Sequence, residues 1–299
     1  MDFGGVEESS QAGRSLDCGT HRLVHPCAWD DFNIMKIFSL DSFKLEGKTT
    51  VVTGGCGNLG PYWVMALMEA GAKVAIIDLP ETNTPEILEK YAHNQLKVFY
   101  ADITDLKTLH TIHENINKEL GKVEILVTNA GIDVPPIRSN NNEDPKALNK
   151  RFSKMWAVNV QGMVNCIEEF CPDMKKTGGS IINIGSLYME RSPFAGLYTH
   201  LGFDKPWAYG ATKAAVGQVT RHYSTRLAKY GIRVNTLSPG GVLATQDKVF
   251  IAKFSSRVPQ GRMANKESDL GGPLIFLASD ASSYVTGANL QVNGGYTAW

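Results

Sequence analysis

From Lys48 onward, apolar residues along the chain fall into two alternating rhythms. Short runs rich in β-branched residues read as strands: TTVVTG (49–54), KVAIID (73–78), LKVFYAD (96–102), VEILVTNAG (123–131), SIINIGS (180–186), IRVNTLSPG (232–240) and NLQVNGG (289–295). Between them, apolar residues recur at helical spacing over 59–70, 105–120, 145–171, 209–230 and 267–278, with a break in the third near Trp156. Gly71 and Gly121 stop the first two helices, and Thr84 with Pro85 marks the start of another. Strands apolar on both faces and separated by helices form a parallel sheet with right-handed crossovers. The pattern predicts an α/β fold: a Rossmann-type, doubly wound parallel sheet of about seven strands in one domain, residues 47–299. Residues 1–46 hold no sustained period and read as a disordered N-terminal extension.

Composition narrows the partners. The 30 basic and 30 acidic residues balance, so no basic excess points to nucleic acid. No apolar run approaches the roughly 20 residues that cross a bilayer, so no membrane partner is expected. Cys18, Cys27, Cys56, Cys166 and Cys171 form neither a disulfide framework nor a metal-ligand motif. The expectation is a cytoplasmic protein with a small-molecule substrate and no metal.

The first strand runs into Gly54-Gly55-Cys56-Gly57-Asn58-Leu59-Gly60. Glycines there let the backbone approach a pyrophosphate, which meets the free N–H groups of the following helix. Asp78, at the end of the second strand, is placed to accept both ribose hydroxyls of an adenosine and to repel a 2′-phosphate. NAD is therefore favoured over NADP. Further on, Tyr209 and Lys213 are four apart in a helix and share a face, so the ammonium approaches the phenol. Bringing a phenol from its ordinary pKa of about 10 to about 7 needs roughly 4 kcal/mol, which a neighbouring cation in a partly dry cleft, together with the cofactor's positive ring, can supply.

From about Leu45 to Trp299 the chain resembles the short-chain dehydrogenase/reductase family in its single-domain form. Its turn is similar to that family's TGxxxGxG, with Thr53, Gly54 and Gly60 in place and Asn58 where the family has its middle glycine; Gly57 is expected to share the strain of that turn. The resemblance implies a cofactor site of Gly54, Asn58, Leu59, Gly60, Asp78, Asp102, Ile103, the turn Asn129-Ala130-Gly131, Tyr209, Lys213, Pro239, Gly240 and Val242. It also implies a catalytic tetrad: Tyr209 as general acid/base, Lys213 lowering its pKa, Ser186 orienting substrate and Asn159 holding a relay water. Most members assemble as homotetramers, so a homotetramer, or a homodimer, is expected, with the apolar faces of 160–170 and 214–227 between subunits. An NAD-dependent oxidoreductase acting on a secondary alcohol or ketone follows. A 3-oxoacyl-type ketone reductase and a non-catalytic cofactor-binding regulator are the alternatives.

Ser186 and Tyr209 are 23 residues apart, about ten more than the family's usual gap. The inserted segment 187–207 carries Glu190, Arg191, Thr199, His200, Asp204 and Lys205 among aromatic residues, a wall suited to a sugar, sugar acid or polyol. Ser186, Tyr188, His200 and Tyr209 are the expected substrate contacts. Residues 138–144 would overhang the site, and 246–258 would form a mobile lid.

Overall fold

Strand β1 (Thr49–Thr53) is buried along its whole length, as a β-branched run covered by helices on both sides must be. Helix α1 (Gly60–Glu69), β2 (Lys73–Asp78), β3 (Leu96–Tyr100), α2 (Leu106–Glu119) and β4 (Val123–Thr128) follow. The second half adds the short β5 (Ile137–Arg138), α3 (Pro145–Trp156), a π-helical turn (Ala157–Gly162), α4 (Met163–Thr177) and β6 (Gly179–Ile184). It closes with β7 (Phe203–Asp204), α5 (Trp207–Leu227), β8 (Ile232–Pro239), α6 (Lys248–Ser255), α7 (Gly271–Ala278) and β9 (Asn289–Val292). The computed structural model describes residues 39–91, 95–133, 137–138 and 145–299. The expectations for 1–38 and 139–144 lie outside the described residues.

The main sheet has seven strands in the order β3-β2-β1-β4-β6-β8-β9, every neighbouring pair parallel. The chain steps outward from β1 through β2 to β3, then returns to β4 on the other side of β1. That reversal opens a crevice at the carboxyl ends of β1 and β4, where doubly wound sheets bind ligands. The predicted doubly wound fold is the observed one.

One face of the sheet is covered by α2, α4 and α5, with Leu109, Ile167, Phe170 and Val216 almost wholly buried. The other is covered by α1 and α7, where Trp63, Leu67, Leu274 and Leu277 are fully buried. Leu45 belongs to this second core, so the folded body begins upstream of residue 47. Burial pushes the thiols of Cys166 and Cys171 up, to about 12 and about 11, and they stay protonated core residues. Among the described residues no helix is long and apolar enough to cross a membrane.

Two expected helices come out shorter. After β2, the Thr84-Pro85 signal opens only a 3₁₀ helix, Glu86–Tyr91. Six residues with one buried anchor, Leu88, are too few to repay α-helix nucleation. The helix expected from 267 begins at Gly271, because Asn265 Oδ1 accepts from Glu267 N (2.7 Å) and holds that stretch in a turn.

Candidate active site

The Gly-rich turn is held shut by the segment after β4. Asn129 Nδ2 donates to the carbonyls of Thr53 (3.1 Å) and Gly54 (2.8 Å), while Trp63 Nε1 on α1 donates to Asn129 Oδ1 (2.9 Å). Gly54 has φ 64°, and a Cβ there would lie 2.7 Å from the Ala130 Cα. At Gly60 a Cβ would lie 2.3 Å from the Gly54 carbonyl oxygen, so α1 starts against the turn with no side-chain cap. Pro61 has no N–H and Tyr62 N donates to the Leu59 carbonyl (3.1 Å), so the first turn offers a ligand the Gly60 N–H. The expectation that Gly57 shares the strain does not hold. Its backbone is outside the left-handed region, which Gly54 occupies instead.

A cleft of about 560 Å3 lies over these carboxyl ends. Gly54, Asn58, Leu59, Asp78, Asp102, Ile103, Asn129, Ala130, Gly131, Ser186, Tyr209, Lys213, Pro239, Gly240 and Val242 line it. Of the sequence-derived cofactor residues only Gly60 is not in the lining. Asp78 accepts from the backbone N–H of Cys56 and of Leu79, both at 2.8 Å, which aims its carboxylate at the turn. Beside it the Cys56 thiol is pushed up to about 11 by burial and by that carboxylate. Asp102 Oδ1 is engaged by Thr104 N (2.8 Å) and Thr104 Oγ1 (2.7 Å). The close glycines, the uncapped helix and the carboxylate at the end of β2 fit a nicotinamide dinucleotide. A larger hollow of about 760 Å3 sits at the opposite end of the sheet. There Arg233 is engaged with the carbonyls of Leu277 and Ser279, at the amino ends of the strands.

Ser186, Tyr209 and Lys213 meet on one wall of the cleft. Ser186 follows β6 and its Oγ accepts from Tyr188 N (3.1 Å), capping a short 3₁₀ turn. Lys213 Nζ donates to the Ile184 carbonyl (2.7 Å) and sits 5.8 Å from the Tyr209 ring centre. Burial raises the Tyr209 phenol above its ordinary range; the Asp133 carboxylate adds to this and the Ser186 hydroxyl opposes it. Burial pushes Lys213 down to about 8, against the pull of Asp133. Asn159 stands in the π-helical turn, a distortion frequent at functional sites. Its Oδ1 accepts from Ile132 N (2.8 Å), and its Nδ2 donates to Ile132 O (2.9 Å) and Thr212 Oγ1 (3.1 Å). Asn159 is buried beneath the wall and fixes residues 131–133.

The insertion folds over this wall, yet most of its polar side chains face the protein. Glu190 accepts from Asn289 (2.8 Å), Arg191 donates to the Thr297 carbonyl (2.9 Å), and Thr199 accepts from Lys253 (2.9 Å). His200 Nε2 meets Asp247 at 2.9 Å, on the segment leading into α6, and is not part of the cleft lining. The Tyr188 ring meets Tyr209 edge-on with centres 6.4 Å apart, and its hydroxyl faces Tyr198 at 3.4 Å. Apolar burial drives this arrangement: Leu197, Tyr198, Phe254, Val258 and Tyr296 form a satellite core joining insertion, α6 and C-terminus. The polar wall read from the sequence is thus largely a set of latches. Charged residues to which the sequence reading gave no catalytic or cofactor role also reach the site, Glu81 and Lys154 in the cleft lining among them. Asp133 lines the cleft, and Lys205 pairs with it from the insertion.

Comparison with known proteins agrees with this geometry. A family model described as "Enoyl-(Acyl carrier protein) reductase" matches residues 58–297. The NADH-dependent L-xylulose reductase of Ambrosiozyma monospora is 30% identical over 284 residues, covering 87% of this chain and 98% of that protein. A gluconate 5-dehydrogenase from Burkholderia cenocepacia J2315, solved with NADP and tartrate, superposes with TM-score 0.76 at 28% identity, covering 88% of this chain and 100% of that one. A short-chain dehydrogenase from Leptospira borgpetersenii with bound NAD+ gives 0.75 at 32% identity, covering 87% and 97%. The chain belongs to the short-chain dehydrogenase/reductase family and is a nicotinamide-dependent oxidoreductase acting on CH–OH groups.

Proposed function

We propose that this enzyme is an NAD-dependent dehydrogenase of a sugar, sugar acid or polyol, with Asn159, Ser186, Tyr209 and Lys213 as its catalytic set. The observation that carries the reading is the convergence of Ser186, Tyr209 and Lys213 on one wall of the cleft that begins at the Gly-rich turn. Bound there, the nicotinamide cofactor supplies the hydride acceptor or donor and, when oxidised, a positive ring charge. In alcohol oxidation the Tyr209 phenolate takes the hydroxyl proton as hydride leaves the same carbon; in ketone reduction the phenol returns it. The Ser186 hydroxyl hydrogen-bonds the substrate oxygen and stabilises charge developing on it. The Lys213 ammonium, 5.8 Å from the Tyr209 ring centre, favours the phenolate against the burial that holds the phenol neutral. Asn159 positions Ile132 and Thr212 and, through them, the floor on which a relay water sits.

Asp78 supports NAD over NADP. Leu79, Pro80 and Glu81 follow it, so a 2′-phosphate would meet carboxylates with no cation beside them. The sugar reading draws on the relatives, whose names include a xylulose reductase and a gluconate dehydrogenase. Cytoplasmic residence and a homotetramer, or a homodimer, complete the proposal. For assembly the support is family membership, because Val160, Phe170 and Leu227 are engaged inside the protomer's own core.

The deciding experiment is a screen of polyols, sugar acids and keto-acids with NAD(H) and NADP(H), followed at the nicotinamide absorbance. Turnover of a polyhydroxylated substrate with NAD is expected, and Tyr209→Phe should abolish it. A preference for 3-oxoacyl thioesters would replace the sugar reading, and an NADP preference would overturn the role of Asp78.

A further inference from the structure

Tyr209 is flanked by a second ammonium group that the chemistry above does not use. Lys205 comes from the insertion, and its Nζ lies 5.3 Å from the centre of the Tyr209 ring, nearer than Lys213 at 5.8 Å. Its side chain is only 8% exposed, and it is ion-paired with Asp133, which is 44% exposed. Two distant segments deliver the pair. Asp133 follows the Asn129-Ala130-Gly131 turn, Lys205 follows β7, and the antiparallel β5–β7 ladder (Ile137 opposite Asp204, Arg138 opposite Phe203) ties those segments together.

The charged and titratable groups facing Tyr209 can be named element by element. Lys213 comes from α5, Lys205 from the segment before it, Ser186 and Tyr188 from beyond β6, and Asp133 from beyond β4. Lys154 of α3 lines the same cleft. Among the described residues Asp133 is the one carboxylate of this set. An unpaired carboxylate beside a phenol stabilises the protonated form, whereas an ammonium stabilises the phenolate. The Lys205 ammonium, 5.3 Å from the ring centre and only 8% exposed, is poorly screened by water, while Asp133 is the more exposed end of the same pair.

We propose that Lys205 and Asp133 form a positioning pair that sets the proton affinity of Tyr209, Lys205 cancelling a carboxylate that would otherwise keep the phenol protonated. The inference rests on Tyr209 being the acid/base. It gives the insertion a task at the site beside its latches to α6 and the C-terminus: delivering the ammonium that makes Asp133 tolerable there.

The test is the pH dependence of kcat/KM for alcohol oxidation in the full-length enzyme. A tyrosinate ultraviolet titration of the NAD-saturated protein, read against Tyr209→Phe, accompanies it. Oxidation needs the phenolate, so activity rises with pH through the Tyr209 midpoint. Lys205→Met is expected to move that limb up by about one pH unit, a roughly tenfold loss of activity below it. Asp133→Asn should move the limb down by a similar amount, and the double variant should return it close to the parent. Lys205→Arg keeps the charge and should leave the limb in place. A limb that stays fixed while activity falls evenly at every pH would reduce the pair to a structural role and overturn the proposal; so would two single variants shifting in the same direction. If Lys205→Met does not fold, Asp133→Asn alone still decides the sign. Full activity in Tyr209→Phe would instead sink the acid/base reading, and the titration would still report whether the pair acts on the phenol.

Discussion

Lys213 is a buried ammonium, 6% exposed, whose one hydrogen-bond acceptor among the described contacts is the Ile184 carbonyl at 2.7 Å. Burial pushes its pKa down to about 8, from the ordinary lysine value of about 10.4. Between those values the unfolded chain holds a proton that the folded one has lost, so stability rises with pH across that window. Below about pH 8 the charged form carries the full penalty, on the order of 3 kcal/mol. The hydrogen bond to Ile184 returns only about 1 kcal/mol. Lys213→Met is therefore expected to abolish turnover yet melt higher than the parent at pH 7, with the gap closing as pH rises from about 8 to 10.5. Thermal unfolding at a series of pH values reads this directly, and a lower melting point at pH 7 would contradict it. The Tyr209–Lys213 pair was legible in the sequence because four residues on a helix share a face. Asp133 and Lys205 were not, because they meet through a ladder of two residue pairs that no local periodicity announces.

At the scale of elements, the insertion and α6 are latched to each other from two distant segments of the chain. Asp247 caps α6, accepting from Phe250 N at 2.9 Å, and the same carboxylate oxygen receives His200 Nε2. Lys253 crosses back to the Gly196 carbonyl (3.0 Å) and to Thr199 Oγ1 (2.9 Å). The sequence marked 187–207 as extra chain and 246–258 as a lid. It could not show that the polar side chains of one close onto the other, since a surface of Glu, Arg, Thr and His reads the same facing substrate or facing protein. His200→Ala removes one latch and keeps the helix cap, whereas Asp247→Ala removes both. The α6 amides should therefore exchange hydrogen faster in the order parent, His200→Ala, Asp247→Ala. KM should rise several-fold in the same order, with smaller losses in kcat. Equal exchange rates in the parent and His200→Ala would mean that His200 does not hold α6 in place.

Across the whole molecule, the cofactor cleft draws on the chain just beyond β1, β2, β3, β4, β6 and β8, six of the seven strands of the sheet. This wide sourcing is what made the architecture readable: each strand end carried its own short signal, and a parallel sheet brings all carboxyl ends to one edge. It also means that a dinucleotide bridges both halves of the doubly wound sheet, so binding should stabilise the fold as a unit. NAD at about one hundred times its Kd should add about 2.7 kcal/mol. For a body the size of Ser39–Trp299 that corresponds to a rise in Tm of about 5 °C. At the same concentration NADP should give a smaller rise, because its 2′-phosphate meets the Asp78 carboxylate where NAD offers hydroxyls. Replacing Asp78 with Asn should narrow that difference by raising the NADP shift and lowering the NAD one. If NADP stabilises the parent as much as NAD does, then Asp78 does not select the cofactor, and its two backbone hydrogen bonds serve only to hold the turn.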